Sequence, residues 1–115
     1  MRLTRWLFPA LFIASPAAAQ SIGSAAAINH INETVTVCGL VASAKVVAQQ
    51  SVVLAFDYPQ PTQRFSVLIQ ARDRMKFNGR ELTMVGHRMC GTGVVKMVDG
   101  RAQMIIQDSA QLVPE

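Results

Sequence analysis

The sequence predicts an all-β domain, a small five-stranded barrel preceded by a short helix, in a chain of 115 residues. Three observations predict it. From Glu33 onward, apolar and polar residues alternate in runs with a period of two, which puts successive side chains on opposite faces of a strand. Asp99-Gly100 stands between two such runs, and this dipeptide closes tight hairpins because it tolerates positive backbone angles. Two cysteines lie in matching surroundings, Val37-Cys38-Gly39 in an early run and Met89-Cys90-Gly91 in a late one. A small antiparallel sheet has exposed edges unless it closes, and a five-stranded barrel closes it.

The N-terminus reads as a secretory signal over residues 1–19. Arg2 and Arg5 precede an apolar run over 6–14, and Ser15-Pro16-Ala17-Ala18-Ala19 supplies the small residues of a cleavage site after Ala19. A membrane anchor needs roughly 20 apolar residues, whereas this run is about half that and contains Pro9. No cysteine sits at the cleavage point, so no lipid attachment is expected there. The expected product is a single domain over 20–115, periplasmic or secreted, with no membrane span after cleavage. Losing Arg2 and Arg5 leaves nine Lys and Arg against seven Asp and Glu. A net charge of +2 permits a polyanion partner without demanding one.

The elements follow in order. Residues 21–31 hold Ala25-Ala26-Ala27 with Ile22, Ile28 and Ile31 around them, which predicts a short helix capped by Ser24. Val35, Val37, Gly39 and Val41 then share one face of a first strand that runs long and bent to about residue 48. Gly39 inside it predicts a bulge or a close backbone approach. Residues 49–51 make a turn and 52–56 a second strand. Pro59 and Pro61 force a loop over 58–63. Residues 65–69 form the third strand, and 73–77 a helical turn capped by Asp73 and stopped at Asn78-Gly79. Residues 82–85 are expected to give apolar cover. The fourth strand spans 87–98 and the fifth 102–107.

Glu33 to Lys45, Arg64 to Ile69 with Asp73 to Phe77, Gly86 to Val95, and Asp99 to Ile106 together resemble the strands and turns of small exported bacterial OB-fold proteins. That resemblance covers about residues 28–112. It implies a Greek-key barrel related to OB domains that bind nucleic acid. It also implies that the first and fourth strands lie side by side, which would place Cys38 near Cys90. The loop over 46–51 departs from the pattern, lacking the Gly and Lys turn and the aromatic residues that such relatives commonly carry.

An even cysteine count in an exported small protein points to one disulfide, Cys38 with Cys90. The alternatives are two free thiols or a metal site, and no cluster of three or four ligands accompanies either cysteine. Arg64, Arg72, Arg74, Lys76 and Arg80 put five of the nine mature cations within 17 residues. They read either as a phosphate-facing patch or as a solvated turn. Single-strand binders also need stacking aromatics; Phe65 and Phe77 read as core, so Tyr58 in the proline loop is the candidate. His30 and His87 have no carboxylate or cysteine partner at ligand spacing. Ser109 and the other serines lack a nucleophile pattern, and the acids are scattered singly. No catalytic site, metal or cofactor is therefore expected.

The expected function is weak, sequence-nonspecific binding of single-stranded nucleic acid or another polyanion. Arg64, Arg72, Arg74 and Lys76 would face phosphates and Tyr58 would stack. The rival reading is an envelope accessory domain that binds a protein, a saccharide or a small ligand.

Overall fold

The structure is a computed structural model and describes residues 21–115, so the expected signal segment lies outside the described residues. Seven strands follow in order: β1 (Ser21–Gly23), β2 (Thr34–Val46), β3 (Val52–Phe56), β4 (Phe65–Ile69), β5 (Arg88–Val98), β6 (Arg101–Ile105) and β7 (Leu112–Pro114). Five of them close a barrel in the order β2-β3-β4-β6-β5, with β5 returning to pair with β2. The expected all-β barrel is therefore present.

β2 serves both ends of the circuit because it is long and bent. Its residues 34–40 pair antiparallel with β5, and residues 41–46 pair with β3. The bend comes from a register shift between Val41 and Ser43, where Ala42 is the extra residue. Gly39 is thus not the bulge. It is the other expected feature, a close approach: a Cβ there would lie 2.8 Å from Asp57 Oδ2.

Asp57 ends β3 with φ 69° and folds its carboxylate back over β2. The Leu40 amide donates to Asp57 Oδ1 at 3.0 Å, and the Ser24 hydroxyl donates to Oδ2. Gly39→Ala is expected to cost about 1–3 kcal/mol by crowding this carboxylate. Urea unfolding of the single variant and of Gly39→Ala/Asp57→Ala checks it. A single variant as stable as the parent would show that Asp57 is free to move aside.

The N-terminal segment corrects two expectations. Ser21–Gly23 is a strand that pairs parallel with residues 36–38, where a helix was expected to begin. The expected short helix follows as a 3₁₀ helix, Ser24–His30, with extended Gly23 rather than Ser24 at its cap. Its buried residues, Ser24 and Ala27, are three apart, the repeat of a 3₁₀ turn. Ser24 caps nothing because its hydroxyl is committed to Asp57.

The core lies inside the barrel. Phe56 and Phe65 meet edge to face at 5.2 Å, packed with Leu54, Ile69, Met104 and the inward valines. Phe77 is fully buried and reaches this core from the helical connection that follows β4. That connection comprises Ala71–Arg74, Met75–Phe77 and Arg80–Thr83, with left-handed Asn78 as the expected stop. Asp73 does not cap it: Gln70 holds that position, and Asp73 is buried inside the first turn. The apolar cover expected over 82–85 reduces to Met84, since Leu82 and Val85 are exposed while Glu81 is buried.

Asp99 and Gly100 both have positive φ, as their hairpin requires. β6 ends at Ile105, short of the expected 107, and β7 pairs with residues 89–91 of β5. β7 was unexpected because three residues ending in proline carry no readable alternation.

Candidate nucleic-acid interface

Cys38 and Cys90 sit directly opposite each other in the β2–β5 ladder, and their sulfurs are bonded at 2.01 Å. The next pair on the same face, Thr36 and Thr92, joins hydroxyls at 2.7 Å. A Glu115 carboxylate oxygen and the two sulfurs lie within 4.8 Å of one another. These atoms do not form a metal set, because the ligating form of cysteine is the thiolate and both sulfurs are in the disulfide.

The basic cluster does not stay together in three dimensions. Arg74 donates from Nε to Glu81 Oε2 at 3.1 Å and from Nη1 to the Gln50 carbonyl at 3.0 Å. Glu81 is nearly inaccessible, so Arg74 neutralises a buried acid. Lys76 donates to Asp73 Oδ1 at 3.3 Å and to the Gln107 carbonyl, and lies 3.5 Å from Asp108. Its hydrogen bond to Asp73, helped by the charge of Asp108, holds the ammonium above its usual pKa. Arg80 bonds the Phe77 carbonyl. Arg72 alone of this group projects freely, with a side chain 73% exposed and only a 4.0 Å approach to Asp73.

Arg64 is at the other end of β4. Five strand residues separate it from the helical connection, a span of about 17 Å. There it meets Arg101, which the sequence reading missed. β4 and β6 run parallel with Phe65 opposite Ala102, so Arg64, just before β4, and Arg101, the first residue of β6, arrive at the same end. Laying the fifth expected strand against the third would have revealed the pair. Among the described residues neither arginine forms an ion pair.

Arg64 and Arg101 line one cavity of about 330 Å³ together with Ala25, Ile28, Thr62, Gln63 and Gly100. Tyr58 belongs to the same loop and is half exposed, while Thr62 is tied back to the Pro59 carbonyl by its amide and its hydroxyl. The five candidates thus divide. Tyr58 and Arg64 share the loop end with Arg101, and Arg72, Arg74 and Lys76 belong to the opposite end.

On β3 and β4 the residues that alternate with the core ones are Val53, Ala55, Ser66 and Leu68; the first three are buried and Leu68 is partly exposed. Ser66 accepts from Gln103 Nε2 at 3.3 Å. No aromatic ring stands on this face of the two strands.

No family model matches the chain, and no curated protein matches it. Among solved structures it is similar to a protein assigned as an aspartyl-tRNA synthetase from Leishmania major Friedlin, at 8% identity and a TM-score of 0.56. The match covers 91% of this chain and 22% of that one. At that identity it shows the fold alone. The closed five-stranded barrel is compatible with the OB-fold that the sequence resemblance implied.

One catalytic expectation needs correcting. His30 does have an acid beside it, since Nδ1 lies 2.9 Å from Glu33 Oε1 one helical turn on. The pair is solvated and no nucleophile joins it. His87 shares a second cavity, of about 450 Å³, with Arg80, Arg88 and Glu115, where Arg88 is bonded to Glu115 at 2.8 Å. Ser109 begins a short helix that Asp108 and Gln111 cap reciprocally. Among the described residues no helix is long and apolar enough to cross a membrane.

Proposed function

We propose that the protein is an exported, non-catalytic binding module for polyanions, with single-stranded nucleic acid as the leading ligand class. The observation that carries this is the juxtaposition of Arg64 and Arg101 at one cavity, two arginines that form no ion pair among the described residues, on the barrel end whose loop also carries exposed Tyr58. Guanidinium groups suit phosphate because their planar forks donate two parallel hydrogen bonds. Arg72 adds a separate, more distant contact, while Arg74 and Lys76 hold the fold together. The hairpin carrying Gly100 joins the fourth and fifth barrel strands, one of the loops that OB-folds use for binding. By its name, the similar solved protein acts on tRNA, and this chain matches 22% of it. The disulfide fits the periplasmic or secreted location that the N-terminus suggests.

Labelled single-stranded DNA followed by fluorescence anisotropy tests this reading. Three phosphate contacts, from Arg64, Arg101 and Arg72, predict a fall of log affinity with log salt of slope about −2.1. Absence of binding at low salt, or affinity indifferent to salt, would count against it.

One observation favours an envelope accessory role instead. The face of β3 and β4 opposite the core, the usual nucleic-acid platform of this fold, carries no aromatic ring, and Val53, Ala55 and Ser66 on it are buried. A protein, saccharide or small ligand would then bind through the same barrel face. A partner captured from envelope extract equally well by Arg64→Gln/Arg101→Gln would support this second reading.

A further inference from the structure

Gln63 stands in the wall of the cavity that Arg64 and Arg101 line. Its residue surface is only 7% exposed, and its Oε1 is buried with no hydrogen-bond partner. An amide oxygen left buried and unpaired is costly, and each such group calls for a structural reason. The cavity has one apolar wall, Ala25 and Ile28 of the 3₁₀ helix, and one open lip at Gly100. Its volume of about 330 Å³ is at the small end of ligand sites, suited to one sugar-sized group rather than a chain passing through. Two arginines without a paired acid supply a charge of +2. That matches a phosphomonoester, which carries about −1.5 to −2 at neutral pH, better than the single charge of an internal phosphodiester.

We propose that this cavity is a terminal-phosphate pocket for a phosphorylated sugar or the phosphorylated end of a strand. Arg64 and Arg101 donate to the phosphate oxygens, and the Gln63 amide, turning its enclosed oxygen toward the cavity, accepts a hydrogen bond from a sugar hydroxyl. The proposal shares its arginines with the polyanion reading, but it assigns them a small ligand with a free phosphate end and gives Gln63 the specificity role.

The test uses the mature protein with three probes: ribose 5-phosphate, ribose and inorganic phosphate. Side-chain amide and guanidinium N–H resonances report occupancy. Ribose 5-phosphate should shift the Gln63 amide saturably, with a dissociation constant below about 10 mM. Arg101→Gln, at an exposed strand end, should weaken it roughly tenfold. Gln63→Leu should reduce the preference for ribose 5-phosphate over inorganic phosphate to near unity, with phosphate affinity unchanged. Equal binding of the two probes by the parent protein, or no saturable Gln63 shift, would overturn the pocket.

A second arm separates this from the polyanion reading. An oligonucleotide bearing a 5′-phosphate should bind at least about fivefold more tightly than its 5′-hydroxyl counterpart. Equal and salt-sensitive binding of both would sink the pocket and leave the polyanion reading standing. Ribose 5-phosphate binding without oligonucleotide binding would do the reverse.

Discussion

Cys38→Ser is expected to unfold far more readily than the parent protein under oxidising conditions. The bond closes a loop with a sequence separation of 52, which corresponds to about 4 kcal/mol in the chain-entropy model. In a domain of this size that is a fall in Tm of roughly 15–30 °C. The location supports a large effect, because β2 and β5 are the strands whose pairing closes the barrel. In strong reductant the two proteins should melt together. Calorimetry in both buffers checks this. Matching midpoints in the oxidising buffer would mean that the β2–β5 seam holds without its covalent link.

Arg74→Ala carries the next largest expected effect. It removes the cation facing Glu81, which would be left as an uncompensated acid at 3% side-chain exposure. Breaking such a pair from one side costs about 3–5 kcal/mol, and Arg74 is itself 22% exposed, which favours the lower end. The Gln50 carbonyl also loses its donor, which unties the loop between β2 and β3 from the helical connection. Arg74→Ala/Glu81→Gln should recover much of the loss, since the remaining amide is neutral. Urea unfolding measures all three proteins. A single variant within about 0.5 kcal/mol of the parent would return Arg74 to the surface and reopen its role as a phosphate contact.

The barrel was legible because its strands are governed by local alternation. Val37 and Val41, which period two puts on one face of the first strand, both lie in the core. The hairpin at Asp99-Gly100 was legible for the same local reason, the positive φ of both residues. β1 and β7 were not legible, since three residues are too few to establish a period. The short helix was legible from Ala25-Ala26-Ala27, but the cap was not, because Ser24 is drawn to Asp57, 33 residues away.

The site was half legible for a related reason. Charge along the chain does not record which cations are already paired. Glu81 looked like a surface acid diluting a basic run, and only tertiary packing makes it a buried partner of Arg74. Arg101 looked isolated because its neighbour Arg64 is distant in sequence, and the parallel register of β4 and β6 brings them together. Gln63 carried no sequence signal, for an unpaired amide exists only once the cavity does.

The central functional claim is that the loop end of the barrel, with Arg64 and Arg101, is where a polyanion is held. It is tested most directly by the salt dependence of single-stranded DNA binding in two variants. Arg64→Gln/Arg101→Gln should lose affinity and flatten the log–log slope by about 1.4, while Arg72→Gln should change the slope by at most about 0.7. An unchanged slope in the double variant, with the loss appearing in Arg72→Gln instead, would contradict the assignment.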